Sequence, residues 1–154
     1  MMRCHYLPSD FHPLLLIVCE REDLTLLSAL LTTFAKDEIS LAINEQSFVE
    51  YCSSPLIIEK VAIGDGVGIT KPDYSTQPLH WKLEKHIAAE YSATLEELAG
   101  QGTLSGSCFL EIGYIDEVRV KVTFGEFDDS WLLTRSNNEH RDHRCRAGSG
   151  NVSL

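Results

Sequence analysis

The stretch Cys108–Phe124, CFLEIGYIDEVRVKVTF, decides the fold class. Cys108, Leu110 and Ile112 alternate with Phe109 and Glu111. Val118, Val120, Val122 and Phe124 alternate with Arg119, Lys121 and Thr123. A two-residue period means strand, because successive side chains point to opposite faces. Two such runs joined by Tyr114 to Glu117 predict an antiparallel hairpin with one buried face.

Upstream, Leu14 to Cys19 is an unbroken apolar run and predicts a central strand. Glu20, Glu22 and Asp23 follow, where negative charge favours a helix N-terminus. Leu24, Leu27, Leu30, Leu31 and Phe34 then recur at helical spacing. Short β runs are expected at Ile39 to Ile43 and Ser47 to Cys52. A longer strand is expected within Pro55 to Ile63, with Ile69 opening its hairpin partner. Thr76 ahead of Pro78, then Leu79, Leu83, Ile87, Tyr91, Leu95 and Leu98, predict one long second helix ended by Gly100 and Gly102. Thr94 and Glu97 allow a capping box and hence a break near Ser92. Strands grouped around two helices, without regular βαβ alternation, indicate α+β: one domain over residues 1–134, with a mainly antiparallel sheet packed against two helices. Residues 135–154 are polar and aperiodic, and a flexible tail is expected there.

Hydrophobic residues make up 44% of the 154, enough for a core without disulfides or metal. No apolar run approaches the roughly 20 residues of a membrane helix. The run Leu14–Cys19 is short for a signal-peptide core, and no small-residue cleavage site follows it. Cys4, Cys19, Cys52, Cys108 and Cys145 are odd in number and lack CxxC spacing. That usage points to a cytoplasmic protein with no disulfide framework or zinc ribbon, Cys19 and Cys108 being small core residues. The net charge is −10; the tail carries four arginines against Glu139 and Asp142, which leaves −12 for residues 1–134. Such a body repels nucleic acid and anionic membrane, and attracts cationic surfaces. Negative charge also serves solubility, so charge alone does not separate a binding role from a solvated surface.

Candidate chemistry is sparse. Ile63–Ile69, IGDGVGI, lacks the following helix that a dinucleotide loop needs, so an Asp65-Gly66 hairpin turn is the better reading. His86 and Glu90 share a helix face, but two ligands do not make a metal site, and an exposed i,i+4 pair accounts for them. His140, His143 and Cys145 sit in a tail with three arginines interspersed and no fold to hold a metal. No metal or cofactor is expected. Cys52 would need a neighbouring base, with His5, His12, His80 or His86 as candidates. Beyond the hairpin come Gly125, Glu126, Phe127, Asp128, Asp129, Ser130 and Trp131. A continued strand would send Glu126 and Asp128 to one face and Phe127 and Asp129 to the other, which splits the carboxylates rather than pairing them for acid–base work. An acidic rim with aromatic neighbours is the favoured reading. Trp131 fits a core anchor somewhat better than an exposed contact.

The stretch Cys108–Leu132 resembles the C-terminal strand pair of small acidic immunity proteins of bacterial polymorphic toxin systems. Several such families end in a valine-rich strand, then Gly-Glu-aromatic-Asp and a tryptophan, here Gly125, Glu126, Phe127, Asp128 and Trp131. The resemblance implies a cytoplasmic, non-enzymatic protein that neutralises a toxin domain by binding it. Charge adds that the cognate toxin is basic, such as a nuclease, and that neither nucleic acid nor membrane is a partner. The expected contact residues are Glu126, Phe127, Asp128 and Asp129, with Asp116 and Glu117 from the hairpin turn. The alternative is a small-ligand or regulatory module with a pocket between helix and sheet. A hydrolase using Cys52 or the carboxylates is a third possibility.

Overall fold

The computed structural model describes residues 1–74 and 77–133. In chain order its elements are β1 (Met2–Leu7), β2 (Leu14–Cys19), α1 (Arg21–Asp37), β3 (Leu41–Ala42), a 3-10 turn (Ile43–Glu45), β4 (Val49–Cys52), β5 (Leu56–Lys60), β6 (Gly68–Ile69), β7 (Leu79–Leu83), α2 (Lys85–Gly100), β8 (Gly106–Leu110) and β9 (Arg119–Phe124). The class is α+β. The predicted hairpin is present as β8 and β9, with Cys108 opposite Val122 and Leu110 opposite Val120.

Among the described residues four of the seven strand pairings are antiparallel, but the strands divide between two sheets instead of one. Two mixed sheets form, one of five strands in the order β4-β1-β2-β9-β8 and one of four in the order β3-β5-β7-β6. The pairs β1–β4, β2–β9 and β5–β7 are parallel. Parallel pairing suits strands covered on both faces, and β2 is such a strand. Leu15, Ile17 and Cys19 enter the main core, while Leu16 and Val18 lie beneath Leu132 on the opposite face.

The second helix is also corrected. Residues 79–83 are strand, and α2 begins only at Lys85. Leu79, Trp81 and Leu83 alternate into the core, with Trp81 packed against Tyr91 at 6.0 Å between ring centroids. The predicted β5–β6 hairpin does not form, because β7 lies between those two strands. The expected Asp65-Gly66 turn is also displaced: the chain turns at Ile63 and Gly64, closed by the Asp65 amide donating to the Ala62 carbonyl at 3.0 Å. No break occurs at Ser92; its buried hydroxyl lies 2.7 Å from both the Ser28 and Thr32 hydroxyls of α1, and this polar contact joins the two helices.

Glu20 and Asp23 form a reciprocal capping box that starts α1. Arg21, at that same end, donates to the carbonyls of Ala99 at 2.7 Å and Gln101 at 3.2 Å, satisfying acceptors where α2 terminates. One hydrophobic cluster joins both helices to both sheets, including Leu24, Phe34, Ile58, Trp81, Leu95 and Val122. Residues 135–154, the expected tail, lie outside the described residues, as do His140, His143 and Cys145.

Candidate functional site

The chain leaves β9 at Phe124 and reverses at Gly125, whose φ is 70°. A β-carbon there would sit 2.5 Å from the Leu104 carbonyl oxygen, so the turn needs glycine on both counts. The following residues cross the outer face of the five-stranded sheet, the face opposite the helices. Residues 130–133 make a helical turn in which the Leu132 and Leu133 amides donate to the Asp129 carbonyl. Leu132 packs on Leu16 and Val18.

Asp129 anchors this crossing. It is only 5% exposed. One of its oxygens accepts from Arg3 Nε at 2.6 Å and from His5 Nε2 at 2.8 Å. Burial by itself raises a carboxyl pKa, but the bonds from Arg3 and His5, with the charge of Arg3, hold Asp129 below the usual carboxylate value. Arg3 also reaches Glu50 at 3.3 Å, and the Tyr51 ring lies 5.5 Å from that of His5. All of these groups sit on β1, β4 and the crossing segment.

The expected contact residues therefore divide. Glu126, Phe127 and Asp128 are exposed, as is Asp116 in the hairpin turn. Asp129 and Glu117 are turned inward. The Glu117 carboxylate, 5% exposed in its residue, accepts from the amides of Ile112 and Gly113 at 2.9–3.0 Å and so braces the hairpin turn. Neither is placed to meet a partner. Glu126 accepts from the Thr123 hydroxyl at 3.1 Å. Asp128 accepts from the Ser130 amide, which lowers its pKa. The reading of Trp131 as a core anchor is overturned: it is 60% exposed, and Leu132 takes the inward position. The chain's reversal at Gly125 carries the segment off the strand axis, so strand alternation no longer decides which side chain faces in.

Around this segment the hairpin presents a mixed surface. Arg119 lies 4.2 Å from the Phe109 ring centroid and pairs with Glu111. Lys121 lies 5.0 Å from the Phe127 ring centroid and 5.6 Å from that of Phe109. These are cation–π distances. Phe109, Phe127 and Trp131 are all exposed.

No family model, curated protein or solved structure matches this chain.

The other candidates are scattered. His86 pairs with Glu84 at 3.2 Å rather than with Glu90, and both are exposed. Among the described residues no group of three metal-ligating side chains converges. Cys52 lies on the core side of β4 beside Cys4, whereas His5 and Tyr51 alternate to the other face. His80 is on β7, paired with Glu59 at 3.2 Å. The space between helices and sheets is filled by side chains such as Leu27, Leu31 and Leu95, all fully buried. An open cleft of about 740 Å³ instead lies by Glu59, Lys71, Asp73, His80 and Lys82.

Proposed function

We propose that this protein is an immunity-type binding protein that neutralises a basic toxin domain by stoichiometric occlusion, using the segment that follows Gly125. The observation that carries this reading is the exposure of Phe127 and Trp131 beside Glu126 and Asp128, on a backbone fixed from below by Asp129 and Leu132. Aromatics on a fixed backbone lose less freedom on binding, and tryptophan is among the residues enriched at hot spots. Carboxylates around them favour arginine and lysine on the partner. Arg119 and Lys121 interleave with this surface, so the aromatic contact, rather than an unbroken anionic patch, supports the proposal.

The test is co-expression with a toxin domain encoded beside this protein, read as rescued growth and as a 1:1 complex on a sizing column. Calorimetry on that complex should show Trp131→Ala weakening binding roughly 30-fold, equivalent to about 2 kcal/mol. Absence of both rescue and complex overturns the reading.

A second reading places a small polar ligand in the open cleft, favoured by the Glu59–His80 and Asp65–Lys82 pairs along it. It requires a ligand-dependent rise in melting temperature that His80→Ala removes.

A further inference from the structure

Cys4 and Cys52 are far apart in the sequence yet occupy paired positions on the adjacent parallel strands β1 and β4. Paired residues on neighbouring strands have their α-carbons roughly 5 Å apart and their side chains on the same face. A disulfide needs about 4.4–6.8 Å between α-carbons. Both thiols belong to the core side of the sheet. Cys4 is buried and Cys52 half-buried, so a small reagent reaches Cys52 first.

We propose that Cys4 and Cys52 are a peroxide-oxidisable dithiol that closes to a disulfide between β1 and β4. The two thiols are unequal in a way that orders the chemistry. Peroxide meets the half-buried Cys52 before the buried Cys4, and the contact between the two thiols lowers the Cys52 pKa while that contact and burial push Cys4 well up. The Cys52 thiolate attacks one oxygen of hydrogen peroxide, the O–O bond breaks and hydroxide leaves, giving a sulfenic acid. Cys4 sulfur then attacks the Cys52 sulfur. The S–S bond forms, the S–O bond breaks, and the departing hydroxyl takes the Cys4 proton as water. Hydroxide collects the proton released when Cys52 ionised, so one peroxide becomes two waters as two thiols become one disulfide.

Cys19 and Cys108 do not compete. Burial pushes Cys19 up to about 12 and Cys108 up to about 11. Closure fastens the edge strand β4 to β1. That strand carries Glu50 and Tyr51, which contact Arg3 and His5 on the opposite face, so oxidation bears on the shell around Asp129.

The experiment uses the full chain with Cys145→Ser, treated with hydrogen peroxide, alkylated with iodoacetamide and mapped by trypsin. Two of the four remaining thiols are expected to be lost. The Cys4–Arg21 peptide should be linked to the Asp37–Lys60 peptide, fragmentation should place the link at Cys4 rather than Cys19, and dithiothreitol should reverse it. The oxidised form should melt several degrees higher than the reduced one, because a closed loop restricts the unfolded chain. With Cys4→Ser, dimedone should trap a sulfenic acid at Cys52. Oxidation of Cys52 to sulfinic acid while wild-type Cys4 stays alkylatable overturns the proposal. So does a link to Cys19 or Cys108, or survival of all four thiols. The peptide map on the parent chain decides the matter even where the Cys4 variant folds poorly.

Discussion

A single carboxylate, Asp129, holds the proposed contact segment to the sheet. Its partners Arg3 and His5 lie on the first strand, 126 and 124 residues away in sequence. Removing a charged hydrogen-bonding group from a buried site leaves its partners unsatisfied. Asp129→Asn should therefore cost about 2 kcal/mol, after discounting for the part-exposed Arg3. The same residue gives the acid response a definite sign. The folded pKa of Asp129 lies below its ordinary value. Its stabilisation is thus complete above the unfolded carboxylate pKa, roughly 4, and is lost as pH falls through the depressed folded value. Acid unfolding followed by tryptophan emission should show a steeper loss below about pH 4 in the parent than in Asp129→Asn. Equal slopes in the two proteins would remove Asp129 from the account.

At the scale of elements, the turn at Gly125 aims everything after it. Gly125→Ala places a side chain in the left-handed region and against the Leu104 carbonyl. The expected cost is about 2–3 kcal/mol in chemical denaturation, together with weaker toxin binding as the segment is displaced. Unchanged denaturation would mean that the backbone accommodates the methyl group elsewhere. The β8–β9 hairpin and α1 were legible in sequence because each has one dominant period, and β2 because an unbroken apolar run suits a strand covered on both faces. Residues 79–83 satisfied two periods at once: Leu79, Leu83 and Ile87 are spaced by four, and Leu79, Trp81 and Leu83 by two. Burial of Trp81 settles the choice, and a local window does not contain that information. Strand β1 was missed because Arg3 and His5 look like loop residues. Met2, Cys4 and Tyr6 nonetheless alternate with them, and that period was present to be read. The exposed members of the site, Glu126, Phe127 and Asp128, were legible as polar or post-strand residues. The inward turn of Asp129 was not, since its cationic partner lies at the other end of the domain.

At the scale of the whole molecule, the carboxylates of the described residues are dispersed. Exposed acids occur on α1 (Glu22), in the loop after β6 (Asp73), on α2 (Glu90, Glu96 and Glu97) and beyond β9 (Glu126 and Asp128). A charge of −12 on residues 1–134 then acts as a long-range field rather than a local patch. The association rate with a basic toxin domain should fall at least roughly tenfold between low and high ionic strength. The dissociation rate should respond instead to Trp131→Ala. Stopped-flow mixing separates the two, and an association rate indifferent to salt would contradict electrostatic steering.

The larger sheet draws its strands from both ends of the described chain, with Leu14 bonded in register to Arg119 and Cys19 to Phe124. During translation, β1 and β2 emerge before β9, so one flank of β2 is still open. That flank stays uncovered until residue 124 has cleared the ribosome. Late closure of this sheet is therefore the step at which chaperone capture would matter most.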